Sequence, residues 1–159
     1  LLCDPQMLEG DAEVAYNEMD LDLTSMDSMR TALSELGEDD VIVDALFGAG
    51  LSRPLDGEVL ELVQQINDSP AQCVAVDLPS GVSGRSGAVL GEAVHADLTV
   101  TFFRAKPGHY LYPGRSHCGE VVVKQIGLDE AVLKQLGPMA SYNCNALWGE
   151  IPDEQCCGA

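Results

Sequence analysis

Two short apolar segments, each followed by a glycine-containing turn, most constrain how this chain can fold. The first, VIVDALFGAG at 41–50, is rich in β-branched residues, ends in Gly-x-Gly and leads into a helical pattern at 57–67. The second, CVAVDLPSGV at 73–82, repeats the arrangement with Pro, Ser and Gly in its turn. Such segments are typical of buried parallel strands that deliver ligand-facing loops. Together they predict a strand, helix, strand unit with a right-handed crossover.

Each segment carries one aspartate near the expected end of its strand. Asp44 lies inside an apolar run, and Asp77 precedes Leu-Pro-Ser-Gly. The carboxyl ends of parallel strands share one edge of the sheet, where ligands bind in open α/β folds, so both carboxylates are expected there. A carboxylate in apolar surroundings needs an ion partner, hydrogen bonds or a bound cation. We therefore favour a ligand role for Asp44 over the alternative, an acid that caps neighbouring loop amides.

Further strands are predicted at 96–103 and 119–127, and further helices at 8–19, 25–36 and 129–136. Strands that alternate with helices predict an α/β fold, here a three-layer α/β/α sandwich with a Rossmann-like, mainly parallel sheet. Residues 1–136 are expected to form one domain. The segment 137–159 has no periodicity and suits a linker.

The composition excludes several classes of function. The formal net charge is −18, from 26 acids and 8 bases, whereas nucleic acids and anionic membranes are bound by basic clusters. No apolar segment of about 20 residues and no export signal is present, which predicts no membrane span and a cytoplasmic protein. The six cysteines form no C-x-x-C pair, so free thiols are expected instead of a zinc site.

The turns leave several chemical roles open. Gly48-Ala49-Gly50 can bring backbone amides close to a phosphate, or it can be a plain tight turn; the full dinucleotide fingerprint is absent because Arg53 stands where its third glycine would be. Asp77 can move protons, or it can bond the amides of its own turn. Ser80 can offer oxygen to a hard cation, but it lacks the G-x-S-x-G context of a nucleophile.

The remaining polar candidates are histidines and loop bases. His95, His109 and His117 share no metal-ligand spacing, so each is expected to be a surface or packed side chain. Arg104 and Lys106 can neutralise a ligand phosphate, and an equally good interpretation makes them solvated loop bases.

The order of several motifs resembles one family. VDALFGAGLSRPLDG, INDSP, VAVDLPSGVSGRSG, ADLTVTFFRAKPGH and GEVVVKQIGL follow one another over about 40–130, as in the YjeF N-terminal domain, the NAD(P)H-hydrate epimerase family. The tail with Tyr142, Trp148 and Pro152 is similar to the linker that leads into an ADP-dependent dehydratase in bifunctional members. A first strand and a loop of the G-x-G-N-N-G-G-D-G kind precede this region in the family, and Leu1 is expected to begin after them.

The resemblance implies an activity and a site. Members invert C6 of the hydrated nicotinamide ring in NADHX and NADPHX, so those nucleotides are the implied substrates. It also implies potassium as the cofactor, bound at Asp44 and Ser80. The hydrated dinucleotide would be held by Asp77 and by the loop of Gly48, Ala49, Gly50, Leu51, Ser52, Arg53 and Pro54. A homodimer is left open, as is the preference between NADHX and NADPHX.

Asp77 is the predicted catalytic residue. Inverting a carbinolamine carbon requires the hydroxyl to leave as water, giving a ring iminium, and water to return on the other face. A carboxyl group that protonates the hydroxyl and then deprotonates water would serve both halves. Two alternatives stay open: a non-catalytic nucleotide-binding or protein-interaction domain of the same fold, and, less favoured, an ordinary NAD-dependent dehydrogenase. The latter lacks the expected acid about 20 residues beyond its glycines.

Overall fold

The computed structural model of the chain describes residues 8–19, 24–129 and 131–136. The chain divides into two compact units, Leu1–Ile126 and Gly127–Ala159. The first unit contains α1 (Asp11–Glu18), α2 (Met26–Glu35), β1 (Val41–Asp44), α3 (Gly57–Asp68), β2 (Gln72–Val76), β3 (Leu98–Phe102) and β4 (Glu120–Lys124). The second contains α4 (Ala131–Leu136). The predicted linker at 137–159 lies outside the described residues, and the domain boundary at 136 stays a prediction.

The strands form one parallel sheet in the order β1-β2-β3-β4. In its register Ile42 lies opposite Cys73, and Ala75 lies opposite Thr99. The predicted α/β class with a Rossmann-like parallel sheet is confirmed, and the element ends differ from the predicted ones by a few residues. The second strand is shorter than predicted because Asp77 leaves the extended conformation, with φ at 71°.

Helices α2 and α3 cover one face of the sheet. In α3, Leu62, Val63 and Ile66 are buried and pack in one core cluster with Ile42 and Cys73 of the strands. The methionines and leucines of α2 lie against that cluster. Helix α2 begins at a true N-cap, because the Ser25 hydroxyl accepts the backbone N–H of Ser28 at 3.2 Å.

Strand β1 is buried on one face only, unlike the fully buried strand that its apolar run predicted. Ile42 and Asp44 point into the core, whereas Val41 and Val43 are 57% and 63% exposed. The valines are exposed because the helices that pack on β1 lie on its other face, with Ile42, and no helix among the described residues covers this one.

The loops that follow the strands carry the polar residues of the fold. The β2 to β3 connection runs through residues 77–97, and the β3 to β4 connection contains two short 3-10 helices, Pro107–His109 and Gly114–His117. Because the strands are parallel, residues 45–50, 77–80 and 103–109 all lie at the carboxyl edge of the sheet. This is the edge on which a ligand site was predicted.

Candidate functional site

Asp44 and Ser80 form one buried pair below the carboxyl edge. Each is 1% exposed. The Ser80 hydroxyl donates to Asp44 Oδ1 at 2.6 Å, and the Ser80 backbone N–H donates to Oδ2 at 2.7 Å. The same hydroxyl accepts the backbone N–H of Phe47 at 3.0 Å. The pair therefore joins the loop after β1 to the loop after β2.

Burial controls the charge of Asp44. It raises the pKa of this carboxyl, against the opposing effect of the hydrogen bonds from Ser80 and Leu46. No Lys or Arg of the described ranges is in an ion pair with Asp44. An ionised Asp44 thus lacks a counter-charge in the described part of the chain, and an oxygen-binding cation is one species that can supply it.

The donor set around Asp44 consists of oxygen atoms. It comprises the carboxylate, the Ser80 hydroxyl and the Phe47 carbonyl, which lies 3.5 Å from Ser80 Oγ. In the described part of the chain, no three His, Cys, Asp or Glu side chains gather as a candidate metal site. The chemistry of this set fits an alkali cation and does not resemble the nitrogen and sulfur sites of zinc.

The Asp77 carboxylate lies between the glycine loop and the strand β3. Oδ2 accepts the Ala49 backbone N–H at 3.1 Å, and Oδ1 accepts the Thr101 hydroxyl at 3.0 Å. Oδ1 also forms an ion pair with Lys106 Nζ at 2.5 Å. Burial alone would raise the pKa of Asp77, but the hydrogen bonds from Lys106, Ala49 and Thr101 and the charge of Lys106 together lower it. Asp77 is therefore a carboxylate at neutral pH.

The two glycines of the Gly-x-Gly turn have different surroundings. A Cβ on Gly48 would lie 3.1 Å from Asp77 Oδ2, whereas a Cβ on Gly50 would meet nothing within 4 Å. Gly48 therefore permits the close approach of the loop to Asp77. The Ala49 amide is already bonded to Asp77, so it is not directed outward, as the phosphate-binding interpretation would have it.

His109 connects the backbones of the two charged residues. Its ring accepts the Lys106 backbone N–H at Nδ1, at 2.8 Å, so the proton of the neutral ring lies on Nε2 and is donated to the Asp77 carbonyl, also at 2.8 Å. Burial, foremost, and the charge of Lys106 lower the pKa of this ring. His109 is 1% exposed. The expectation of a packed histidine is confirmed here.

The predicted residues come together at one edge. Asp44 bonds Ser80, Asp77 bonds the Gly48–Gly50 turn, and the described loop continues through Leu51 to an exposed Ser52, Arg53 and Pro54. Arg104 instead bonds the carbonyl of its neighbour Phe103 at 2.7 Å. The roles of Asp44 and Ser80 as metal ligands, and of Asp77 and the loop 48–54 as substrate contacts, stay predictions.

Sequence reasoning missed two members of the site. Thr101 is fully buried, and Lys106 was considered only as a phosphate or solvent contact. One signal was available: threonines alternate with apolar residues in LTVTF at 98–102, and a basic Lys-Pro-Gly-His turn follows at 106–109. The partnership of Lys106 with Asp77 had no local signal, since the two residues are 29 positions apart.

Comparison with known proteins identifies the family. The family model described as YjeF-related protein N-terminus matches residues 7–108, which is more than half of the chain. The chain belongs to this family. Among the described residues of the YjeF-related domain, no helix is both long and apolar enough to cross a membrane.

Several curated proteins similar to this YjeF-related domain are named as NAD(P)H-hydrate epimerases or as bifunctional NAD(P)H-hydrate repair enzymes. It is 51% identical over 100 residues to a bifunctional NAD(P)H-hydrate repair enzyme of Thermofilum pendens, covering 63% of this chain and 19% of that protein. It is 46% identical over 88 residues to an NAD(P)H-hydrate epimerase of Limosilactobacillus fermentum, covering 55% and 42%. It is 40% identical over 126 residues to a bifunctional repair enzyme of Archaeoglobus fulgidus, covering 79% and 26%. The matched region thus spans less than half the length of each.

Proposed function

We propose that this protein is an NAD(P)H-hydrate epimerase, which interconverts the R and S epimers at C6 of hydrated NADH and NADPH. The observation that carries the proposal is the Asp77 carboxylate, which is fixed by Ala49, Thr101 and Lys106 yet keeps its side chain 21% exposed at the carboxyl edge. The names of the relatives support the reaction class.

The reaction needs a negative charge beside the reacting carbon. The C6–O bond breaks with its electron pair going to oxygen, the ring nitrogen lone pair forms the C=N bond, and the oxygen leaves as water after taking one proton. Water then adds to the other face and returns one proton. An ionised Asp77 would stabilise the iminium between these steps and accept the proton of the incoming water.

The buried pair supports a potassium site. We propose that Asp44 and Ser80 hold the ion, because the surrounding donors are oxygen atoms and Asp44 has no basic partner among the described residues. Bound there, the cation would supply positive charge that keeps Asp44 ionised. It would act on the loops that Ser80 connects, not on the reacting carbon.

The loop from Gly48 to Pro54 is the proposed dinucleotide contact. Its first part is fixed against Asp77, and its later part, with Arg53, is exposed. A cation at Arg53 suits an anionic ligand in a chain with few bases. We also propose fusion to a dehydratase in the whole protein, on the strength of the bifunctional relatives. The homodimer and the cytoplasmic location stay predictions.

The proposal is tested by mixing the full chain with the R epimer of hydrated NADH in potassium buffer. The two epimers are separated by chromatography, and the rate is compared with the spontaneous rate. We expect acceleration in the wild-type chain and in Asp68→Asn, whose exposed side chain lies at the end of α3, and its loss in Asp77→Asn. Equal rates in the presence and absence of the folded chain would instead favour the non-catalytic binding domain.

A further inference from the structure

The ammonium group of Lys106 has a complete set of acceptors. Nζ lies 2.5 Å from Asp77 Oδ1, 2.8 Å from Thr101 Oγ1 and 3.3 Å from the Phe102 carbonyl oxygen. An ammonium has three N–H donors, so each donor has one of these acceptors. A ligand phosphate would therefore have to displace one of these contacts, which makes Lys106 a poorer phosphate contact than a solvated loop base would be.

The three contacts differ in strength. Those to Asp77 and Thr101 are short, and Thr101 is itself fully buried on β3. The contact to the Phe102 carbonyl is the longest, and it is the one that a substrate hydroxyl can replace at the smallest cost. The Lys106 side chain keeps 27% of its surface exposed and that of Asp77 keeps 21%, so a ligand at the carboxyl edge can reach both.

The backbone fixes the pair in place. His109 accepts the Lys106 N–H and donates to the Asp77 carbonyl, and Asp77 holds a left-handed φ of 71°. Such a conformation is costly for a residue other than glycine and persists where surrounding contacts maintain it. The backbones of Lys106 and Asp77 are therefore held near each other by contacts outside their side chains, and the direct contact of Nζ with Oδ1 and its contact with Thr101 fix the ammonium group.

We propose that Lys106 is a catalytic residue, the general acid that protonates the departing hydroxyl and takes a proton back from Asp77 once water has added. This inference rests on the proposed epimerase function. In the first half, the N–H bond of Nζ breaks, its proton bonds to the hydroxyl oxygen, and the C6–O electron pair goes to the water that leaves. In the second half, the incoming water loses one proton to Asp77, which returns it to Nζ.

Charge balance favours this division of roles. When Lys106 gives up its proton, Nζ becomes neutral at the moment when the nicotinamide ring becomes an iminium. The positive charge moves from Nζ to the ring, while the Asp77 carboxylate stays negative beside both. The total charge of the site is unchanged, so no charge has to be created in a partly desolvated environment.

The test compares Lys106→Met, Lys106→Arg and the control Lys124→Met, whose side chain is exposed at the end of β4. Arginine keeps the positive charge but does not release a proton near neutral pH. We expect kcat to fall about 10²–10⁴-fold in both Lys106 variants, the range of general acid catalysis, with KM changed less than about threefold. Lys124→Met should retain wild-type kcat. Circular dichroism and thermal unfolding check that each variant is folded.

Chemical rescue separates proton donation from positioning. Adding ethylammonium to Lys106→Ala should restore part of kcat in proportion to its concentration, whereas guanidinium, which cannot give up its proton, should not.

Each other outcome overturns a specific statement. Near-wild-type kcat in Lys106→Arg, or equal rescue by guanidinium, would reduce Lys106 to a positioning cation. Near-wild-type kcat in Lys106→Met would remove it from the mechanism. A folded wild-type chain without epimerisation would overturn the proposed function first, and the role of Lys106 with it.

Discussion

Asp77 and Lys106 define the charge state of the site. The hydrogen bond and charge of Lys106, together with the hydrogen bonds from Ala49 and Thr101, outweigh the effect of burial on the pKa of Asp77. We expect Lys106→Met to raise the pKa of Asp77 relative to the wild type, and Lys106→Arg to keep it low. A ¹³C NMR titration of the Asp77 carboxyl carbon measures this without any substrate. A pKa that is equal in the wild type and Lys106→Met would contradict the ion pair.

His109 gives a separate prediction about stability. Its pKa is lowered by burial, so the unfolded chain takes up a proton more readily than the folded chain. The contribution of neutral His109 is fully present above the unfolded pKa of about 6.5 and is lost as the pH falls through the lower folded value. We expect His109→Phe to lower the free energy of unfolding at pH 7 by about 1–3 kcal/mol, because the Asp77 carbonyl and Lys106 N–H lose their partner.

Urea unfolding at pH 7 and pH 5 checks both parts of that prediction. The deficit of His109→Phe should be smaller at pH 5 than at pH 7. His117, whose pKa is also lowered by burial and by His95, is present in both proteins and therefore cancels in the difference. A deficit that stays constant between the two pH values would show that His109 does not titrate as described.

The glycine turn after β1 offers a matched pair of substitutions. Gly48→Ala places a Cβ 3.1 Å from Asp77 Oδ2, and Gly50→Ala places one in open space. We expect Gly48→Ala to weaken the Ala49 to Asp77 hydrogen bond and to lower the free energy of unfolding by about 1 kcal/mol. Gly50→Ala should change it by no more than about 0.5 kcal/mol. Thermal or urea unfolding measures both changes. Equal changes in the free energy of unfolding would indicate that the loop at Gly48 is not in close contact with Asp77.

The strands and helices were predictable because each has a local signal. The stripe of Leu62, Val63 and Ile66 indicates α3, and the β-branched run at 41–43 indicates β1. The contact between Asp44 and Ser80 was partly predictable from the sequence, since parallel strands bring both residues to one edge of the sheet. The Asp77 to Lys106 pair was not, because it depends on how the loop after β3 folds back, with His109 as its anchor.

The exposure of Val41 and Val43 was also beyond local reasoning. An apolar run indicates that a strand is present but not how many of its faces are covered, because coverage depends on which helices pack against the sheet.

The state of the cysteines was easier to predict. Among the described residues, Cys73 and Cys118 are free, as expected, and both are buried. Burial together with the charges of Asp44 and Asp97 raises the pKa of Cys73 to about 12. Such a thiol is unreactive at neutral pH.

Potassium should act on the stability of the whole molecule. A cation that binds only the folded chain stabilises it by about 2.7 kcal/mol at 100 times its dissociation constant. We expect the Tm at pH 7 to rise with potassium concentration in the wild type and in Asp68→Asn, but not in Asp44→Asn. Burial raises the pKa of Asp44, so the carboxyl takes up a proton as the pH falls and the potassium effect should shrink. Calorimetry measures this, and a Tm identical in potassium and sodium would contradict the site.

The exposed valines of β1 determine how that experiment must be done. An edge strand with apolar side chains is a template on which a second strand can add. The net charge of −18 keeps copies of the chain apart, but the screening length falls from about 30 Å at 0.01 M salt to about 8 Å at 0.15 M. Added salt of any kind therefore weakens the repulsion that opposes self-association. Only titrations that exchange sodium for potassium at constant ionic strength will separate ion binding from the solubility of the chain.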